Sequence, residues 1–96
     1  MEAKMWNYAD WVETADFCNE SLKTFFDDVL EKSGFCILNF IEHVFEPQGY
    51  TALWLLSESH FAIHTFPEEN KYYIELSSCI EDKYDNFMIN LKGEQG

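Results

Sequence analysis

The residues able to do chemistry crowd into one stretch, LWLLSESHFAIHTFPEE, residues 53–69, where Glu58, Ser59, His60 and His64 follow directly on the most apolar run of the chain. Polar side chains beside such a run must find partners or a purpose, because burying them unpaired is costly. A hydroxyl among imidazoles suggests a nucleophile. No G-x-S-x-G surrounds Ser59, however, and no triad assembles from its neighbours, which argues against a hydrolase. His43, His60 and His64 are candidate metal ligands, yet acidic residues are abundant everywhere rather than gathered around them, so no metal is expected. Cys18, Cys36 and Cys79 are odd in number and lack CxxC spacing. That disfavours both a disulfide framework and a thiolate metal cage, and points to a reducing, cytoplasmic setting. Taken alone, Cys79 reads as a small buried filler.

These residues must be positioned by a small fold. Ninety-six residues make one domain, 1–96, because a split chain would leave two cores too small to offset the entropy of ordering them. Hydrophobic residues are 47% and aromatics 18%, which a disordered acidic chain would not carry. The net charge is -12, from six Lys and Arg against eighteen Asp and Glu. Nucleic acid and anionic membrane surfaces would be repelled, whereas a cationic small molecule would be drawn in. The start, MEAKMWNYAD, has no basic region leading into an apolar one, and ALWLL is far too short to cross a bilayer, so neither export nor membrane insertion is expected.

Periodicity then assigns the elements. In NESLKTFFDDVLEKSG, Leu22, Phe25, Phe26, Val29 and Leu30 form one stripe at helical spacing, with Asn19 or Ser21 as the cap and Gly34 suited to the left-handed residue past the end. FCILNFIEHVF reads as a long strand, EPQGY as a turn, and TALWLLSE as a strand whose centre looks buried on both faces. SHFAIHTF alternates, placing Phe61 and Ile63 opposite His60, Ala62 and His64, until Pro67 ends it. YYIELSSC sends Tyr72, Ile74 and Leu76 to the core, with Tyr73, Glu75, Ser77 and Cys79 opposite. IEDKYDNFMINLKGEQG is expected to hold one or two helical turns and a frayed end, and MWNYADWV an edge strand. The fold class that follows is α+β: a two-layer sandwich of antiparallel sheet with helix on one face. The other face needs a cover, which a partner subunit would supply.

LSESHFAIHTFPE resembles the processing-site segment of the prokaryotic S-adenosylmethionine decarboxylases, where an E-S-H triplet is followed by I-H-T, an aromatic residue and P-E. The resemblance implies that the chain cuts itself between Glu58 and Ser59, leaving a pyruvoyl group, made from Ser59, as the cofactor. Attack of the Ser59 hydroxyl on the Glu58 carbonyl turns the amide into an ester. Loss of the Ser59 α-proton then expels the Glu58 carboxylate, and the dehydroalanine left behind hydrolyses to the ketone. Such chemistry needs a strained turn, a group that stabilises the oxyanion, and a base near Cα.

Further roles are implied by the same resemblance. His64 matches the proton acceptor of the elimination, Thr51 a processing serine, and Cys79 the residue that returns a proton to the substrate carbon after carbon dioxide leaves. Phe45 and Phe66 match the aromatic pair that sandwiches adenine, and Glu68 the carboxylate that holds the ribose hydroxyls. The pyruvoyl ketone would form a Schiff base with the α-amine of S-adenosylmethionine and act as the electron sink for decarboxylation, on the route to spermidine. A homodimer with sites shared between subunits is the expected assembly.

The likeness is strongest from His43 to Cys79 and thins toward both ends. Family members continue past the cysteine through a second full helix and a final strand, whereas residues 80–96 are short for both and contain Gly93 and Gly96. A missing helix would leave part of one sheet face bare. Ile80 and Ala52 stand where glycines are common. These departures keep open a non-catalytic homologue that binds the nucleoside or regulates an active partner, and because pyruvoyl decarboxylases resembling this family can act on other amino acids, a decarboxylase of ornithine or arginine is a further alternative.

Overall fold

A computed structural model describes residues 3–95. In chain order the elements are β1 (Trp6–Glu13), α1 (Asn19–Lys32), β2 (Ile37–Val44), β3 (Tyr50–Leu56), β4 (Ser59–Phe66), a 3₁₀ turn (Pro67–Glu69), β5 (Lys71–Ser78) and α2 (Glu81–Gln95). The strands form one sheet in the order β1-β5-β4-β3-β2, every neighbouring pair antiparallel. The edge strand expected in MWNYADWV is therefore present, paired along its length with β5.

Helix α1 forms where its apolar stripe lies, and Leu22, Phe26, Val29 and Leu30 are buried. Its cap differs from the expectation. Cys18, not Asn19 or Ser21, is the N-cap: its sulfur accepts from the Ser21 backbone N–H at 3.4 Å while the Ser21 hydroxyl accepts from the Cys18 N–H at 3.1 Å, a reciprocal capping box. At the other end Gly34 takes φ +97°, Phe35 N–H reaches Leu30 C=O and Gly34 N–H reaches Glu31 C=O, the double closure that a left-handed residue permits.

The second departure is larger. Residues 81–95 form a full fifteen-residue helix rather than a turn or two. Tyr84, Phe87, Met88 and Leu91 recur at helical spacing, and Phe87 and Leu91 are buried in the core. Asn90 donates to Ser33 Oγ at 3.2 Å, tying α2 to the end of α1. The sheet face expected to be left bare is thus covered by two helices. No strand follows α2 among the described residues.

Between helices and sheet lies the core, with Trp54, Tyr50, Phe26, Phe61 and Phe87 its largest members. Phe61 sits at its middle, 4.9 Å from Phe26, 5.4 Å from Trp54 and 5.5 Å from Phe87, ring centre to ring centre. Burying each such ring stabilises the fold by about 1.5–3 kcal/mol. Among the described residues nothing covers the opposite face of the sheet. The centre of β3 was expected to be buried on both faces, but Leu53 and Leu55, which share the open face, are 45% and 53% exposed, and Ile41 beside them is 65% exposed.

Candidate active site

The expected site residues fall into two groups, and the hairpin β3–β4 decides which belong together. Leu56 pairs with Ser59 across a two-residue turn, and Thr51 pairs with His64. Ser59 and His64 therefore stand at opposite ends of β4, five residues apart, roughly 17 Å at the rise of a strand.

At the turn, Glu58 holds φ +61°. A residue with a side chain has about 1–2 kcal/mol against it in that left-handed region, so the expected strain lies on the residue just before the Glu58–Ser59 peptide bond. Ser59 is buried on the helix-facing side, and its hydroxyl donates to Ser78 Oγ at 2.8 Å. Ser78 in turn donates to Ile80 C=O at 3.3 Å and accepts from Ile80 N–H at 3.0 Å. The Glu58 carbonyl oxygen accepts twice from one residue, from Cys79 N–H at 3.3 Å and from Cys79 Sγ–H at 3.1 Å. Two donors converging on a carbonyl oxygen stabilise the negative charge that grows there when its carbon is attacked.

Cys79 follows β5, half-buried, and also reaches a Glu58 carboxylate oxygen at 3.4 Å. Partial burial pushes its thiol above the ordinary value, and the Glu58 carboxylate adds to this through hydrogen bond and charge. The Lys83 ammonium on α2 and the local backbone hydrogen bond pull the other way.

The second group lines a cavity of about 400 Å³ at the far end of the sheet: Phe45, Thr51, His64, Phe66 and Glu68, with Gln48 among the others. His64 Nδ1 lies 3.0 Å from Thr51 Oγ1, and its ring stacks on Tyr73 at 6.3 Å and 28°. That pairing fixes the ring plane and leaves Nε2 as the nitrogen able to act elsewhere. Glu68 accepts from Gln48 Nε2 at 3.0 Å, which orients the carboxylate at the rim. Phe66 packs 5.5 Å from Trp11 of β1, and Phe45 stands edge-on to His43 at 4.5 Å. The structure thus brings all three expected substrate-binding residues together with Thr51 and His64, and brings Glu58, Ser59 and Cys79 together apart from them.

Four neighbours were missed by sequence reasoning. Ser78 carried a signal, since it is a serine at a core-facing position of an alternating strand, where an unpaired hydroxyl would be costly. Tyr73, Gln48 and Trp11 carried none beyond composition. Among the described residues, no three of His, Cys, Asp and Glu gather as a metal cluster, and no helix is long and apolar enough to cross a membrane.

A profile of the family described as S-adenosylmethionine decarboxylase matches residues 13–92. An S-adenosylmethionine decarboxylase proenzyme of Parasynechococcus marenigrum is 43% identical over 58 residues, 60% of this chain and 45% of that protein. The proenzyme 2 of Bacillus cereus is 49% identical over 47 residues, 49% of this chain and 38% of that one. The matched stretch thus spans less than half the length of these curated relatives. The crystal structure of the adenosylmethionine decarboxylase of Aquifex aeolicus superposes with a TM-score of 0.67, covering 92% of this chain and 78% of that one at 19% identity, a likeness of fold.

Proposed function

The chain belongs to the S-adenosylmethionine decarboxylase family, and on that premise we propose that it is a self-cleaving proenzyme that becomes a pyruvoyl-dependent decarboxylase of S-adenosylmethionine, supplying the aminopropyl donor for spermidine synthesis. The observation that carries this reading is the turn itself. A left-handed Glu58 precedes the bond to be cut, its carbonyl oxygen takes two donors from Cys79, and the Ser59 hydroxyl on the other side of that bond is held by Ser78.

Cleavage runs as follows. The Ser59 oxygen adds to the Glu58 carbonyl carbon, Cys79 N–H and Sγ–H stabilise the oxyanion, and the amide becomes an ester. A base removes the Ser59 α-proton, the Glu58 carboxylate leaves, and the dehydroalanine hydrolyses with release of ammonia. Ser59 fits the role of precursor, because its hydroxyl already hydrogen-bonds within this constellation. Once formed, the pyruvoyl group supplies the electron sink for loss of carbon dioxide. Cys79 stands ready as the proton donor to the substrate carbon, and its raised thiol value favours that protonated form.

His64 is the base of this scheme, yet strand geometry keeps it roughly 17 Å from Ser59 in the same chain. A second copy removes the difficulty. A two-fold axis lying between two open sheet faces and running across the strands sets the hairpin end of one chain over the far end of its partner. Ile41, Leu53 and Leu55 supply the apolar surface such a contact would bury. Each site then takes Ser59 and Cys79 from one subunit, and His64, Thr51, Phe45, Phe66 and Glu68 from the other. The two aromatic rings suit adenine and a sulfonium cation, Glu68 suits the ribose hydroxyls, and the acidic chain draws in a cationic substrate. A soluble cytoplasmic homodimer is the assembly we assign.

The intact-mass spectrum of fresh protein tests the proposal. Two fragments, residues 1–58 and 59–96, the second blocked at its N-terminus, are expected, together with carbon dioxide release from S-adenosylmethionine rather than from ornithine or arginine. A folded chain that stays whole, with no carbonyl reactive toward hydrazines, defeats it.

A further inference from the structure

Two oxygens of one residue converge on Cys79. Its sulfur lies 3.1 Å from the Glu58 main-chain oxygen and 3.4 Å from a Glu58 carboxylate oxygen, and its backbone N–H donates to the same main-chain oxygen at 3.3 Å. Sulfur can serve that carbonyl only while it carries its proton, because a thiolate has nothing to donate and is itself a competing nucleophile.

We propose that the Glu58 carboxylate is a positioning residue for self-cleavage: it holds Cys79 as the thiol, so that Sγ–H keeps donating to the carbonyl that Ser59 attacks. The residue whose peptide bond breaks thereby secures its own oxyanion donor. This rests on the proposed self-cleavage. Burial is the largest influence favouring the thiol, the Glu58 carboxylate on the hairpin adds to it through hydrogen bond and charge, and the local backbone hydrogen bond and the Lys83 ammonium on α2 favour the thiolate. Glu58 and Lys83 therefore set the proton on Cys79 in opposite directions.

The test separates thiol control from cleavage. In a Ser59→Ala chain, which cannot cut itself, alkylation of Cys79 by iodoacetamide is followed by peptide mass from pH 7 to 10. Glu58→Gln keeps the side-chain shape and the left-handed backbone while removing the charge. It is expected to speed alkylation at pH 8 roughly threefold to tenfold, because a larger share of the sulfur is then thiolate. Glu58→Asp, which keeps a carboxylate, restores part of the slow rate, and Lys83→Met slows it further. With Ser59 restored, cleavage of the Glu58→Gln chain fades at lower pH than that of the native chain. Identical alkylation profiles with and without Glu58→Gln overturn the proposal, as does a cleavage profile that ignores the substitution. A native chain that never cuts sinks the self-cleavage on which the proposal stands, and is told apart because the alkylation shift then remains.

Discussion

The two ends of the β3–β4 hairpin set similar side chains in different surroundings. At the turn, Ser59 meets Ser78, and Cys79 meets the main-chain oxygen and one carboxylate oxygen of Glu58, all beside a backbone held at φ +61°. At the far end, Thr51 meets His64 across relaxed strands, with Phe45, Phe66 and Glu68 around an open cavity. In the proposed function the first end breaks a bond and the second holds a ligand and a base. A strand of eight residues is too stiff to bring the two ends together within one chain, and it is the proposed homodimer that would set the turn of one chain over the cavity of its partner.

The largest effect separating the ends is expected from Ser59→Ala. It should leave a single uncut chain of 11.4 kDa with no turnover, and two fragments in its mass spectrum would remove Ser59 from the chemistry. Next comes complementation. Ser59→Ala and His64→Ala chains, each inactive alone, are expected to recover about a quarter of native activity when co-expressed, since half of the dimers are mixed and carry one whole site of two. No recovery would place each site within one chain.

The same contrast runs across the sheet. Phe87→Ala on the helix-covered face is expected to cost about 3–5 kcal/mol in urea unfolding, against under about 1 kcal/mol of single-chain stability for Leu53→Ala on the open face. Equal costs would mean that the open face is already covered in the isolated chain. At the cavity, Glu68→Gln should raise KM roughly tenfold and leave cleavage intact, the loss of a charged hydrogen-bond acceptor. Slower cleavage would move Glu68 into the processing machinery.

The smallest effect is at the turn. In the uncut Ser59→Ala background, Glu58→Gly should stabilise the fold by about 1 kcal/mol, because glycine adopts a positive φ without the steric cost. A neutral or destabilising result would show that Glu58 carries no strain.

Much of this was legible in the residue order. The alternation of Phe61 and Ile63 against His60 and His64 placed β4 and its faces, and the stripe from Leu22 to Leu30 placed α1. Helix α2 was not read because Gly93 and a density of polar residues diluted the spacing of Tyr84, Phe87, Met88 and Leu91. The cap was misplaced because Cys18 is an unusual acceptor whose use depends on Ser21 facing back toward it.

The order of residues alone determined the constellation of Glu58, Ser59, His64 and Cys79 and the family that carries it, because periodicity and motif are local properties of a chain. Only the folded structure decided which of them touch. Register sets contact, and register follows from the length of the turn and the burial of one sheet face, so Ser59 meets Ser78 and Cys79 meets Glu58, while His64, five residues along, meets Thr51 instead.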